Sequence, residues 1–194
     1  APHVSVISAG EAHVSHPTQG LLDVLTIRSH QRRFSGLKVA IVGDIKHSRV
    51  ARSTARALRT LGTTDIRLVA PRSLLPTEDE FQGALRFTRV EDGIDGADVI
   101  IMLRIQKERM AQAASLDDAA YFQEYGLDAK RVRLASSNVL VMHPGPMNRG
   151  VEISSEVADG PHSLIREQVN NGVAVRMAVL ASIAATLTRH RRPL

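Results

Sequence analysis

Short apolar runs alternate with helical periodicity along most of the chain. Lys38-Val39-Ala40-Ile41-Val42-Gly43 is rich in β-branched residues and apolar at consecutive positions, the pattern of a strand buried on both faces. Residues 66–70, 98–103 and 138–142 repeat that pattern, and residues 86–90 form a weaker addition that falls third in chain order. Between the first two runs, residues 48–61 carry an amphipathic helical pattern, with Ser48 placed to cap its start and Gly62 to end it. Strands of this kind separated by helices predict an α/β fold, a parallel sheet flanked by helices. Residues 17–27 read as an earlier helix whose Pro17 sits in the first turn, where a missing N–H costs nothing. The polar stretch 29–36 then links that helix to the sheet.

The last helix differs from the others. Over residues 172–187 it is apolar almost all round, through Val173, Val175, Met177, Val179, Leu180, Ile183 and Leu187. A helix of that kind needs cover on several sides, and one five-stranded sheet covers only one. Something that packs on it is expected to be absent from the sequence.

Composition narrows the class. With 43% hydrophobic and 23% charged residues, the 194-residue chain can bury a core without staples. Cysteine is absent, which excludes disulfide scaffolds, thiolate zinc sites and thiol nucleophiles together. No apolar run is expected to reach bilayer length, and no secretory signal precedes the first helix. The chain opens on Ala1, which suggests a processed piece or a fragment. The net charge of +5 rests on 21 Arg against 4 Lys, but aromatics are only 3% and the one dense cluster is Arg189-His190-Arg191-Arg192. Nucleic-acid binders cluster charge and interleave aromatics, so neither nucleic acid nor membrane is expected as a partner. A cytoplasmic enzyme fits this profile.

Open parallel sheets bind ligands at the carboxyl ends of their strands. Three segments fall at such ends: Gly43-Asp44-Ile45-Lys46-His47-Ser48-Arg49, Arg104-Ile105-Gln106-Lys107-Glu108-Arg109 and His143-Pro144-Gly145-Pro146. The first has one glycine where a dinucleotide fingerprint needs three, and it lacks the Walker lysine pattern. It does put Arg49 at a helix start, where an anion is favoured. Arg49 and Arg104 together would hold a dicarboxylate by paired hydrogen bonds; singly, each also reads as a surface or ion-paired arginine. In the third segment two prolines fix the backbone and Gly145 admits close approach, which suits either a ligand-facing turn or a plain strand-ending loop. His16-Pro17-Thr18-Gln19 opens the first helix, so His16 is a candidate to polarise a carbonyl or move a proton, or else simply caps the helix.

In order and spacing, these four segments resemble the catalytic chain of the aspartate carbamoyltransferase family, from about Val4 to about Ile183. The ornithine branch of that fold characteristically carries Cys in its counterparts of both the His16–Gln19 motif and the His143–Pro146 turn, and this chain has none. The resemblance implies a Rossmann-like aspartate-binding domain over residues 34–168. Residues 1–33 would end a carbamoyl-phosphate domain and its linking helix, and residues 169–194 would return to that domain. It implies transfer of the carbamoyl group of carbamoyl phosphate to L-aspartate, in pyrimidine synthesis, with no metal or organic cofactor. By position, His16 would stabilise the carbamoyl oxygen, Gln19 would contact carbamoyl phosphate, and the backbone of Pro144, Gly145 and Pro146 would orient the carbamoyl NH2. Arg49, Arg104 and Gln106 would hold aspartate, and residues 110–127 would match a mobile loop.

The family's Ser-Thr-Arg-Thr-Arg phosphate loop, a further phosphate-binding arginine and a lysine donated by a neighbouring subunit have no counterpart in the sequence. The chain alone is therefore expected to be inactive. The resemblance further implies a homotrimer, and residues 144–150 resemble bacterial forms that assemble with dihydroorotase or a dihydroorotase-like chain. Three alternatives remain: a carbamoyltransferase for another amine, a non-catalytic binding or assembly paralogue, and, disfavoured by the single-glycine loop, a nicotinamide oxidoreductase.

Overall fold

The computed structural model describes residues 5–11, 14–77, 81–105 and 117–190, with side chains to residue 186. In chain order the elements are α1 (Pro17–His30), β1 (Lys38–Val42), α2 (Arg49–Thr60), β2 (Asp65–Val69), a 3-10 turn (Arg72–Leu74), β3 (Leu85–Phe87) and α3 (Val90–Ile94). They continue with β4 (Val99–Met102), α4 (Asp118–Tyr125), α5 (Ala129–Val132), β5 (Leu140–Met142), α6 (Ser155–Ala158) and α7 (Ile165–His190).

The five strands form one sheet in the order β3-β2-β1-β4-β5. Every pairing is parallel, as the doubly apolar strand pattern requires. β1 lies at the centre, and Val39, Ala40, Ile41 and Val42 are fully buried, as are Val99, Ile100, Ile101 and Met102 of β4. All five expected strands are present, most of them shorter than the apolar runs; the weak 86–90 run gives β3 at Leu85–Phe87, and its Val90 instead opens α3.

Local chemistry sets the helix ends. Ser48 Oγ accepts from the Ala51 backbone N–H at 3.1 Å and starts α2, which turns Ala51, Thr54, Ala55 and Leu58 into the core. Pro17 occupies the first turn of α1, and that helix runs to His30, three residues past the apolar periodicity. α7 begins at Ile165, seven residues before the expected start: Gln168 and Asn171, which look like breaks in an apolar pattern, are polar groups bonded to α1 partners.

Two expectations about α7 are settled by its surroundings. Val169, Val173, Met177 and Leu180 form an exposed stripe, so the helix is indeed covered on one side only. Beside it runs an apolar groove of about 840 Å³ lined by Leu21, Leu25, Ala57, Val175, Val179 and Ile183, among others. The expectation that nothing reaches bilayer length needs correcting. Within residues 165–186 an 18-residue window has mean hydropathy 1.3, so this helix is long and apolar enough to cross a membrane by length and composition. The sequence hides this because Ala and Val are interrupted by polar residues such as Asn170, Asn171 and Arg176 rather than forming one unbroken run.

Candidate active site

The sheet order reverses at β1, whose neighbours are β2 and β4. The carboxyl ends of adjacent strands there diverge into separate loops and open a crevice. Gly43 makes the first loop possible. Its φ is +126°, and a Cβ at that position would lie 2.7 Å from the Leu103 carbonyl oxygen at the end of β4. Only glycine lets the two strand ends pass this closely. Beyond it, the fully buried Asp44 accepts from the His47 backbone N–H at 3.2 Å and contacts His47 Nδ1 at 2.9 Å, which folds the loop back to deliver Arg49 at the first position of α2.

His16 immediately precedes α1, and its backbone N–H donates to Ser53 Oγ of α2 at 2.8 Å, fixing where the two helix starts meet. Burial, then the nearby Arg49 and Arg176 guanidinium groups, hold its imidazole below the usual histidine range, so it is neutral at neutral pH. Its Nδ1 is buried without a hydrogen-bond partner. A neutral imidazole carries one N–H, which suits stabilising an oxygen that gains negative charge.

After β5 the chain turns at His143. Its Nδ1 accepts from the Gly145 backbone N–H at 2.9 Å, which leaves the proton on Nε2, facing Glu152 Oε1 at 3.2 Å. Glu152 Oε1 also accepts from the Asn148 backbone N–H at 2.5 Å. The turn is thus tied from both sides, and Gly145, at φ +69° with open space where a Cβ would stand, leaves its outer face accessible.

These loops enclose one cavity of about 180 Å³, lined by His16, Gln19, Ser48, Arg49, Val50, Leu103, Arg104, Pro144, Gly145 and Pro146. Seven of the eight residues singled out from the sequence therefore surround a single space. The eighth, Gln106, lies outside the described residues, as does the first part of the 110–127 segment. The remainder of that segment is α4, whose Tyr121 and Tyr125 are buried. Ser48, Val50 and Leu103 were not singled out, and only their position beside strand-end arginines signals them. Among the described residues, no carboxylate lines the cavity and no group of three His, Cys, Asp or Glu side chains is disposed to hold a metal ion.

The family model for the Asp/Orn binding domain of aspartate/ornithine carbamoyltransferase matches residues 35–183. The chain belongs to this family. Among solved structures, it resembles aspartate transcarbamoylase from Trypanosoma cruzi in complex with carbamoyl aspartate and phosphate, at 33% identity and a TM-score of 0.77 over 89% of this chain and 57% of that one. Ornithine carbamoyltransferase from Gloeobacter violaceus matches at 27% identity and a TM-score of 0.78, over 91% of this chain and 61% of that one. The enzyme from Pyrococcus furiosus matches at 27% identity and 0.77, over 87% and 56%. The chain thus spans somewhat more than half the length of these carbamoyltransferases.

Proposed function

We propose that this chain carries the amino-acid half of an aspartate carbamoyltransferase site, together with the helix start and turn that meet the carbamoyl group. The observation that carries the choice of acceptor is the cavity lining: two guanidinium groups, Arg49 and Arg104, and no carboxylate among the described residues. L-Aspartate presents two carboxylates, each able to accept a paired hydrogen bond from an arginine. Ornithine presents one carboxylate and an ammonium side chain, which would enter this field without a counter-charge among the described residues.

In the proposed reaction, the aspartate amine attacks the carbonyl carbon of carbamoyl phosphate and forms the new C–N bond. Negative charge then collects on the carbamoyl oxygen, where the neutral His16 imidazole donates its N–H and Gln19 stands alongside. Carbonyls of the Pro144–Pro146 turn accept from the carbamoyl NH2 and hold its plane. The intermediate collapses with cleavage of the carbon–oxygen bond to phosphate, and the amine proton is lost, giving N-carbamoyl-L-aspartate and phosphate. Positioning and preorganised charge supply the rate.

Among the described residues, nothing in the cavity lining is disposed to anchor the phosphate group beyond these contacts. The 194-residue chain alone is therefore expected to show no turnover. Mixed with a separately made carbamoyl-phosphate domain of a relative, it should form carbamoyl aspartate from aspartate and no citrulline from ornithine. Product from ornithine, or none from either acceptor in a mixture shown to associate and stay folded, would overturn the assignment. Light scattering on the active mixture tests the trimer that belongs to the same reading.

A further inference from the structure

Below the cavity lies a polar cluster that the reaction as described does not use. Asp23 sits one turn along α1 from Gln19 and is fully buried. Its Oδ1 accepts from Gln19 Nε2 at 2.9 Å and from Gln168 Nε2 of α7 at 2.7 Å, while Thr54 Oγ1 of α2 meets its Oδ2 at 2.5 Å. Gln168, also buried, has its other amide atom engaged: Oε1 accepts from the His143 backbone N–H at 3.0 Å. One unbroken chain of hydrogen bonds therefore runs from Gln19, through Asp23 and Gln168, to the residue that opens the Pro144–Pro146 turn.

We propose that Asp23 and Gln168 are positioning residues that lock Gln19 and the His143–Pro146 turn into one fixed arrangement at the cavity wall. Gln19 and the turn come from residues far apart in sequence, on different elements, and approach the carbamoyl group from different sides. Without a tie, each would find its own rotamer or backbone setting. The Asp23 carboxylate is the one group that accepts from both amides, and a buried side-chain amide with both ends bonded has a single orientation. The inference rests on the reading of Gln19 and the turn as contacts to the carbamoyl group.

The two protonation states of Asp23 are equivalent for this purpose. A neutral carboxyl keeps Oδ1 as an acceptor for both glutamines and donates from Oδ2 to Thr54, so only the Thr54 hydroxyl reverses. Asp23→Asn reproduces that neutral pattern, with its amide NH2 donating to Thr54 Oγ1. Asp23→Ala removes it altogether, and Gln168→Leu cuts only the link between Asp23 and the turn.

The test is NMR on the ligand-free 194-residue chain, followed by titration with phosphonacetyl-aspartate. In wild type, the Gln19 side-chain amide and the Gly145 backbone amide should each give one sharp, shifted resonance. Asp23→Ala should return Gln19 to free-amide shifts and broaden Gly145. Gln168→Leu should broaden Gly145 and spare Gln19, and Asp23→Asn should retain both signals. Binding should weaken by roughly 10-fold or more in Asp23→Ala and Gln168→Leu and stay within about 3-fold in Asp23→Asn, since a buried hydrogen-bonded tie is lost only in the first two.

A role confined to holding helices together would lower the Tm in Asp23→Ala and Gln168→Leu but leave the Gln19 and Gly145 signals in place, and that result overturns the proposal. Should Asp23→Ala fail to fold, Gln168→Leu decides by the same two signals. If wild type binds no phosphonacetyl-aspartate even when mixed with the separately made carbamoyl-phosphate domain, the functional reading fails while the ligand-free signals still decide the positioning role.

Discussion

At the scale of single residues, charge and burial set what each group in the site can do. His16 is kept neutral first by burial and then by Arg49 and Arg176. In Arg49→Ala, the His16 imidazole should therefore titrate at higher pH than in wild type, read by NMR from its ring protons; an unchanged midpoint would sink the claim that Arg49 helps keep it neutral. Arg104→Ala should weaken carbamoyl-aspartate binding by about 10- to 150-fold, the loss of one charge-assisted pair worth about 1.5–3 kcal/mol. Asp23 gives a pH prediction. Burial raises its carboxyl from 3.8 to about 6, against the opposing hydrogen bonds from Thr54, Gln168 and Gln19. Because the folded value is raised, its contribution to stability is full below the unfolded value and is lost as pH rises through about 6, on the order of 3 kcal/mol in all. Asp23→Asn carries no such dependence. Its urea midpoint should gain on wild type steadily between about pH 4 and about pH 7, whereas a constant or shrinking difference would contradict the burial argument. Motif residues such as His16, Arg49 and Arg104 could be read from the sequence because each stands beside a helix start or a strand end. The Asp23 tie could not, because its partner Gln168 is 145 positions away and resembles a stray polar residue in an apolar helix.

At the scale of elements, the loop between β1 and α2 depends on two small residues. Gly43→Ala would drive a Cβ against the Leu103 carbonyl at 2.7 Å and force an L residue to φ +126°. It should cost more stability than an ordinary exposed Gly→Ala change and should also disturb the cavity, visible as shifted Arg49 and Arg104 side-chain resonances. Ser48→Ala removes only the cap on the Ala51 N–H, and thermal unfolding should show a loss of about 1 kcal/mol with the fold intact. Strands and the sheet's parallel character were readable because doubly buried strands have few compatible partners. Helix ends were less so. α1 outruns its apolar periodicity to His30, whose Nε2 meets Glu167 of α7 at 2.8 Å, and α7 starts early on bonds to α1. Contacts between helices settled both ends, and single-helix periodicity carries no record of them.

For the molecule as a whole, the sheet is well enclosed and the helical side is not. The Val169, Val173, Met177 and Leu180 stripe should bind a hydrophobic dye in the isolated chain. Replacing Val173, Met177 and Leu180 together with polar residues should lower that signal to what the groove beside α7 retains while moving stability little, as exposed substitutions generally shift it by about 0.5 kcal/mol or less each. Undiminished dye binding would place the dye in the groove or elsewhere, not on this stripe.

α7 has a further consequence, one of mechanics. Twenty-six residues make a rod roughly 39 Å long at about 1.5 Å per residue, while five strands span only about 19 Å from edge to edge. The rod is about twice as long as the sheet is wide. Its hydrogen-bonded bolts, Gln168 and Asn171, lie within its first two turns, and beyond them about 25 Å of helix faces α1 and α2 across the apolar groove lined by Val175, Val179 and Ile183. A tilt of about 5° at those bolts swings the far tip by about 2 Å, yet moves the carboxylate side of the joint by only a fraction of that. Weight placed on the distal end therefore acts on the cavity wall with the long arm of a lever.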